Sequence, residues 1–179
     1  MKIFNFIIFC FLLNNCRTPI KETESFEFYL QLDDATTLIV HDKFLDEYYS
    51  YHNFQENPID IYSLKNESSF MLDKNMVFSK YEISDCCLII PAKEIDRSSF
   101  IAFENSIYGK DKGFVYDCRH GKIDEADVET FEPLIIETEK AIAYGKDKNN
   151  YFFWDKVVAD IARFSELYRA WKVRTLSSK

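Results

Sequence analysis

Cys118 and His120 sit two residues apart, and on an extended strand residues two apart share a face. A thiol beside an imidazole is the minimum for nucleophilic catalysis, because the ring nitrogen can draw off the thiol proton. The pair stands alone: no third group is marked to orient the imidazole. His41 and His52 make no metal spacing with His120, and neither His-x-x-x-His nor Cys-x-x-Cys occurs. Asp73 with Asn75, and Asp147 with Asn149, offer oxygen atoms of the kind a calcium loop uses. The further ligands and closing glutamate of such a loop are missing, and turn chemistry accounts for the same residues. There is no glycine-rich phosphate loop and no Gly-x-Ser-x-Gly elbow. The expectation is therefore no catalytic, cofactor-binding or metal residue, and no enzyme.

Cys86, Cys87 and Cys118 follow the N-terminal segment. Neighbours on a strand point to opposite faces, so only one of the adjacent pair can reach Cys118. Three readings stay open: a bridge to Cys118, buried thiols, and a redox switch between the adjacent thiols.

The elements that position these residues follow from composition and repetition. A chain of 179 residues suffices for one domain with a core. Aromatics make up 17%, while glycine and proline number four each. That balance predicts strands and tight turns paired through ring contacts. The formal net charge of −8 argues against nucleic acid, whose binding needs basic groups to displace counterions, and against adsorption to anionic lipid.

Lys2 precedes an apolar run from Ile3 to Leu13, broken by Asn5. At helical rise such a run falls well short of the roughly 30 Å of membrane hydrocarbon, and it suits the apolar part of a signal peptide. It ends Leu13-Asn14-Asn15-Cys16, which resembles a lipobox with Asn15 where a small residue is usual. The resemblance implies acylation at Cys16, hence a membrane anchor and an exported, cell-envelope location. An ordinary secretory cleavage and a buried N-terminal strand are the competing readings.

Three segments share one pattern: Phe70 to Phe78, Tyr108 to Tyr116, and Tyr144 to Phe152. Their Asp-Lys dipeptides begin at Asp73, Asp111 and Asp147, 38 and then 36 residues apart. Asn75, Gly113 and Asn149 follow, the residue types that best tolerate left-handed backbone. The pattern predicts three-residue hairpin loops with those residues in a bulge. That register sets Phe70 against Phe78, Tyr108 against Tyr116 and Tyr144 against Phe152. A second block recurs as Asp96…Phe100…Phe103, Asp127…Phe131…Leu134 and Asp160…Phe164…Leu167. Asp as N-cap with apolar residues three apart predicts a short capped helical turn after each hairpin. Phe164, Leu167, Tyr168 and Trp171 extend the third into a C-terminal capping helix. Before the repeats, alternation predicts strands over Phe26–Leu32, Thr37–His41 and Ile59–Leu64, with a helix capped by Asp42 between the last two.

The expected fold is α+β and β-rich. It has a signal segment (1–16), a strand-helix-strand region (17–68) packed on the repeats, and a repeat region with its helix (69–179), all in one globular domain. The segments Tyr-Gly-Lys-Asp-Lys-Gly-Phe-Val-Tyr and Tyr-Gly-Lys-Asp-Lys-Asn-Asn-Tyr-Phe, with Gly121-Lys122-Ile123 and Asp127…Phe131 between them, resemble the DKNYY family. The resemblance covers roughly residues 69–167 and is weakest in the first copy. It implies an exported bacterial protein, often a lipoprotein, of unestablished function and with no catalytic residues to carry over. The expected role is non-enzymatic binding or scaffolding through the repeat surface. The alternative is a small acidic inhibitor, immunity-like, that occupies a basic partner.

Overall fold

A computed structural model describes residues 17–31, 37–52, 54, 56–83, 86–134 and 143–158. Every regular element among them is a strand. The expected α+β class is therefore corrected to all-β for the described residues. The proposed C-terminal helix, with Phe164 to Trp171, lies outside them, as do Cys16 and the segment before it.

The strands are β1 (Arg17–Glu22), β2 (Phe26–Gln31), β3 (Leu38–Asp42), β4 (Glu47–Tyr51), β5 (Lys65–Glu67), β6 (Phe70–Leu72), β7 (Val77–Ile83) and β8 (Cys86–Pro91). They are followed by β9 (Ile101–Ala102), β10 (Tyr108–Lys110), β11 (Val115–Asp117), β12 (Gly121–Ile123), β13 (Glu132–Pro133), β14 (Tyr144–Lys146), β15 (Tyr151–Phe153) and β16 (Lys156–Val157). The first eight form one sheet in the order β1-β2-β3-β4-β8-β7-β6-β5, with β4 and β8 parallel and the other neighbours antiparallel. Two four-stranded sheets follow, β12-β11-β10-β9 and β13-β14-β15-β16.

Alternation curls the first sheet around a core. Phe26 and Phe28 of β2, Leu38 and Val40 of β3, and Tyr49 and Tyr51 of β4 meet Met71, Phe78 and Ile89 from the other half. The helix expected after Asp42 is absent. Asp42 does accept hydrogen bonds from the Phe44 and Leu45 N–H groups, as a cap would, but the chain then reverses into β4. Tyr49 and Tyr51 alternate with polar residues at the strand period, and that burial outweighs the helical spacing.

The three hairpins β6–β7, β10–β11 and β14–β15 form successive layers. Met71 and Phe78 face the first core, while Phe70, Leu72 and Val77 face a second that Tyr116 and Phe100 complete. On the far side of the second hairpin, Tyr108 and Val115 join Phe131 and Phe152 in a third core. Each of the first two hairpins is thus buried on both faces.

The loops differ from expectation by one residue. Leu72 pairs with Val77, Lys110 with Val115 and Lys146 with Tyr151, leaving four residues in each loop. The Asp73, Asp111 and Asp147 N–H groups donate to the carbonyls of Met76, Phe114 and Asn150 at 3.1, 3.0 and 2.9 Å. The reciprocal bond goes to a side chain: each aspartate's Oδ1 accepts the N–H groups two and three residues on. The carboxylate replaces a backbone acceptor, so no left-handed residue is needed. Asn75, Gly113 and Asn149 all lack positive φ. A one-residue shift reverses every side chain's face. Tyr108 and Tyr116 consequently serve different cores, and the ring pair of the third hairpin is Tyr144 with Phe153, at 4.9 Å.

Candidate functional site

The repeated charges cluster at the hairpin turns, where each Asp-Lys dipeptide locks onto a one-turn block preceding it in the chain. The N–H groups of Asp60, Asp96 and Asp127 donate to the Oδ2 atoms of Asp73, Asp111 and Asp147 at 2.8, 2.9 and 2.8 Å. Lys74, Lys112 and Lys148 pair with the carboxylates of those same block aspartates at 2.5, 2.8 and 2.6 Å. The lysine N–H groups donate to the hydroxyls of Ser63, Ser99 and Thr130. One device is therefore built three times from Asp-x-x-Ser/Thr and Asp-Lys.

The blocks are single turns rather than helices. Ser63 and Ser99 donate to Asp60 and Asp96 carbonyls, Phe131 donates to that of Asp127, and the chain then enters β5, β9 or β13. A lone turn fixes several dihedrals for one hydrogen bond, so it persists only where the clamp holds it. Four residues after each block aspartate comes the residue that covers the hairpin: Leu64, Phe100 or Phe131. A Cβ at Gly109 would lie 2.3 Å from the Phe100 ring, and one at Gly145 would lie 2.5 Å from that of Phe131. In the first repeat Leu64 and Met71 replace the phenylalanine–glycine pair in the same core, exchanging a large and a small residue for two of middle size.

The electrostatics match this use. The Lys112 ammonium, then Ser98, holds the Asp96 carboxyl well below the usual range, and Lys148, then Thr130, brings Asp127 down to about 2. Lys74 lowers Asp60 likewise. Burial pushes Asp111 upward, but the Asp96, Gly113 and Phe114 N–H groups and the Tyr116 hydroxyl outweigh it, and its carboxyl ends below the ordinary value.

A cleft of about 720 Å³ opens at the other end of the hairpins. Tyr49, Tyr81 and Trp154 give it aromatic wall, and Lys80 and Arg119 face it alongside Glu47, Glu67 and Glu104. The Arg119 guanidinium lies 5.0 Å from the Tyr81 ring and 5.3 Å from that of Trp154. Lys80 donates to Asn66 Oδ1 at 2.7 Å. Ser68 and Asn105, which line it too, and Trp154 all have positive φ, at 57°, 52° and 56°.

Cys118 lines this cleft but does not pair with His120. The residues are in a turn after β11, not on a strand, so the expected shared face is lost. Cys118 carries no disulfide and packs between the second and third cores, where burial, with the Asp117 charge adding, pushes its thiol up to about 12. His120 instead turns its Nδ1 toward Asp117 Oδ2 at 3.2 Å and Asp155 Oδ1 at 3.5 Å. Asp117 is buried, and burial raises its carboxyl above the ordinary value despite the N–H bonds from His120 and Arg119. Among the described residues, Asp117, His120 and Asp155 are the group whose donor atoms could share a metal ion.

Together these features define a stack of clamped β-hairpins with a cleft along one end. No family model, curated protein or solved structure matches the chain.

Two features escaped the sequence reading. Each block locks onto the hairpin after it, not the one before it as expected, and Asp60-Ile61-Tyr62-Ser63-Leu64, expected as strand, is the block of the first hairpin; the recurring Ser or Thr three residues after the aspartate is the signal for it. Asp155 lies a full repeat away from His120, and no local spacing announces their meeting.

Proposed function

We propose that this chain is a non-enzymatic binding or scaffolding module of a bacterial cell envelope, held there by an acylated Cys16, and that the cleft seats its partner. The cleft carries the reading, because residues from every layer line it: Tyr49, Lys80, Asn105 and Trp154 come from the first sheet and the later repeats. Its thiol, Cys118, is raised to about 12 and so stays protonated at neutral pH, which favours binding over nucleophilic chemistry. The resemblance to the DKNYY family and the lipobox-like Leu13 to Cys16 support the location. Both signs of charge line the cleft, which favours a partner of mixed polarity over a uniformly basic one.

A photo-crosslinker placed at Glu104 in cells tests the seat, with one at Lys112, at the clamped turn end, as the control. Crosslinks to an envelope component from Glu104 alone are expected. Equal crosslinking from both positions, or none from Glu104, contradicts the reading. Cys16→Ser is expected to move the protein from the membrane fraction to the soluble fraction.

A further inference from the structure

We propose that Asp117, His120 and Asp155 bind a divalent transition metal ion of the zinc class at the junction of the second and third hairpins. The inference is independent of the cleft's partner.

Donor geometry is the first support. The three ligand atoms lie within 4.8 Å of one another, with Asp117 Oδ2 3.2 Å and Asp155 Oδ1 3.5 Å from His120 Nδ1. Donors on one zinc ion, at bonds of about 2.0–2.2 Å, sit roughly 3.0–3.5 Å apart. Two of the three separations already match.

The second support is a count of protons. A neutral imidazole nitrogen has one N–H at most, and here two carboxylates face the same nitrogen. One N–H can at best be shared between the two, each bond weakened, whereas an ion among the three serves both fully. The other atoms of the carboxylates are engaged elsewhere. Asp117 Oδ1 accepts the Arg119 and His120 N–H groups, each at 2.7 Å, which aims Oδ2 at the ring. Lys156 takes Asp155 Oδ2. His120 stands edge-on to the Trp154 ring, at 5.8 Å and 86°, so its orientation is supported too.

Third, the repeat does not require these residues. Ser79 and Phe153 occupy the hairpin positions that match Asp117. The turn aspartates recur because the clamp needs them, while Asp117 is peculiar to the middle hairpin. A mixed imidazole and carboxylate set suits zinc and its neighbours better than magnesium or calcium, which prefer oxygen alone. Three protein ligands leave a position open, and His120 is exposed enough to admit an ion.

The full chain, stripped with chelator, is titrated with zinc chloride by calorimetry, and its melting is followed with zinc or magnesium. One ion per chain is expected, with Tm rising about 5 °C or more at zinc a hundredfold above Kd, and no rise with magnesium. His120→Ala and Asp155→Asn should each weaken zinc binding at least tenfold while the metal-free Tm stays within a few degrees. His120→Gln is a second imidazole-deleting variant if the alanine form melts early. Absence of zinc binding overturns the proposal, and so does zinc binding that all three variants leave unchanged.

Discussion

The two ends of the second hairpin make a controlled comparison. At the turn end, Asp111 accepts hydrogen bonds from three backbone N–H groups and the Tyr116 hydroxyl, all within its own repeat. At the other end, Asp117 binds its own turn with one oxygen and points the second at the His120 ring, which Asp155 of the next repeat also faces. The three backbone bonds occur in all three repeats, the Tyr116 hydroxyl bond only in the second, and the Asp117 arrangement once among the described residues. Recurrence in a stack marks what every layer needs in order to fold. A polar residue that breaks the pattern while buried has to be explained by something other than the repeat.

The comparison breaks most sharply at the ring that covers the third hairpin. Phe131 contacts the Tyr108 and Phe152 rings and fills the space over Gly145. Phe131→Ala is expected to cost about 3–5 kcal/mol in urea denaturation, a large part of a typical domain's stability. A cost below about 1 kcal/mol would mean the layers are not packed through these rings.

Removing the clamp acceptor comes next. Asp111→Ala removes the acceptor of the half-buried Asp96 N–H and leaves the Tyr116 hydroxyl only the Glu94 carbonyl at 3.4 Å, and about 1–3 kcal/mol is expected from the loss before relaxation. The glycines then sharpen the point, because two that look alike in sequence should respond with opposite signs. Gly145→Ala pushes a methyl into Phe131 and is expected to destabilise by about 1–3 kcal/mol. Gly113 has no positive φ, and an added Cβ would meet only Asp111 Oδ1 at 3.6 Å. Gly113→Ala is therefore expected to stabilise by about 0.4–1 kcal/mol through the unfolded chain. Chemical denaturation of both variants decides it, and a loss at Gly113 would restore the left-handed bulge.

The smallest expected effects are electrostatic. Asp60, Asp96 and Asp127 are depressed by their lysines, so their contribution is complete above the ordinary value of 3.8 and is lost as pH falls through the lowered ones. His41 behaves in the opposite sense. It lies between Glu27 and Asp46, and the Glu27 hydrogen bond raises it from 6.5. Its contribution is complete below about pH 6.5 and disappears as pH rises through the raised value. Melting curves from pH 2 to 9 should fall at both ends, and His41→Gln should flatten the alkaline limb and also lessen the acid one through Glu27, whose carboxyl the same hydrogen bond lowers.

The repeat was legible because its side chains do the same thing three times at nearly constant spacing. Aromatic content and scarce breakers likewise announced the strands. The register was not legible. Asn or Gly after Asp-Lys suits a left-handed bulge, and only the carboxylate's two hydrogen bonds to its own loop decide for the longer turn. The Asp96 and Asp127 blocks looked helical because their apolar spacing is helical, yet each ends after one turn where Phe100 or Phe131 drops onto a glycine. The corner of Asp117, His120 and Asp155 was invisible in sequence, since layers stacked in space bring residues together that no local motif joins.

The central claim is that each hairpin turn is locked to the block before it by one turn carboxylate, and amide hydrogen exchange tests this residue by residue. The N–H groups of Asp60, Asp96 and Asp127 lie in one-turn loops that would ordinarily exchange quickly. Strong protection is expected at all three, and Asp111→Asn should release Asp96 far more than Asp60 or Asp127. Fast exchange at these amides in the wild-type chain, or equal loosening of all three in the variant, would contradict the clamp.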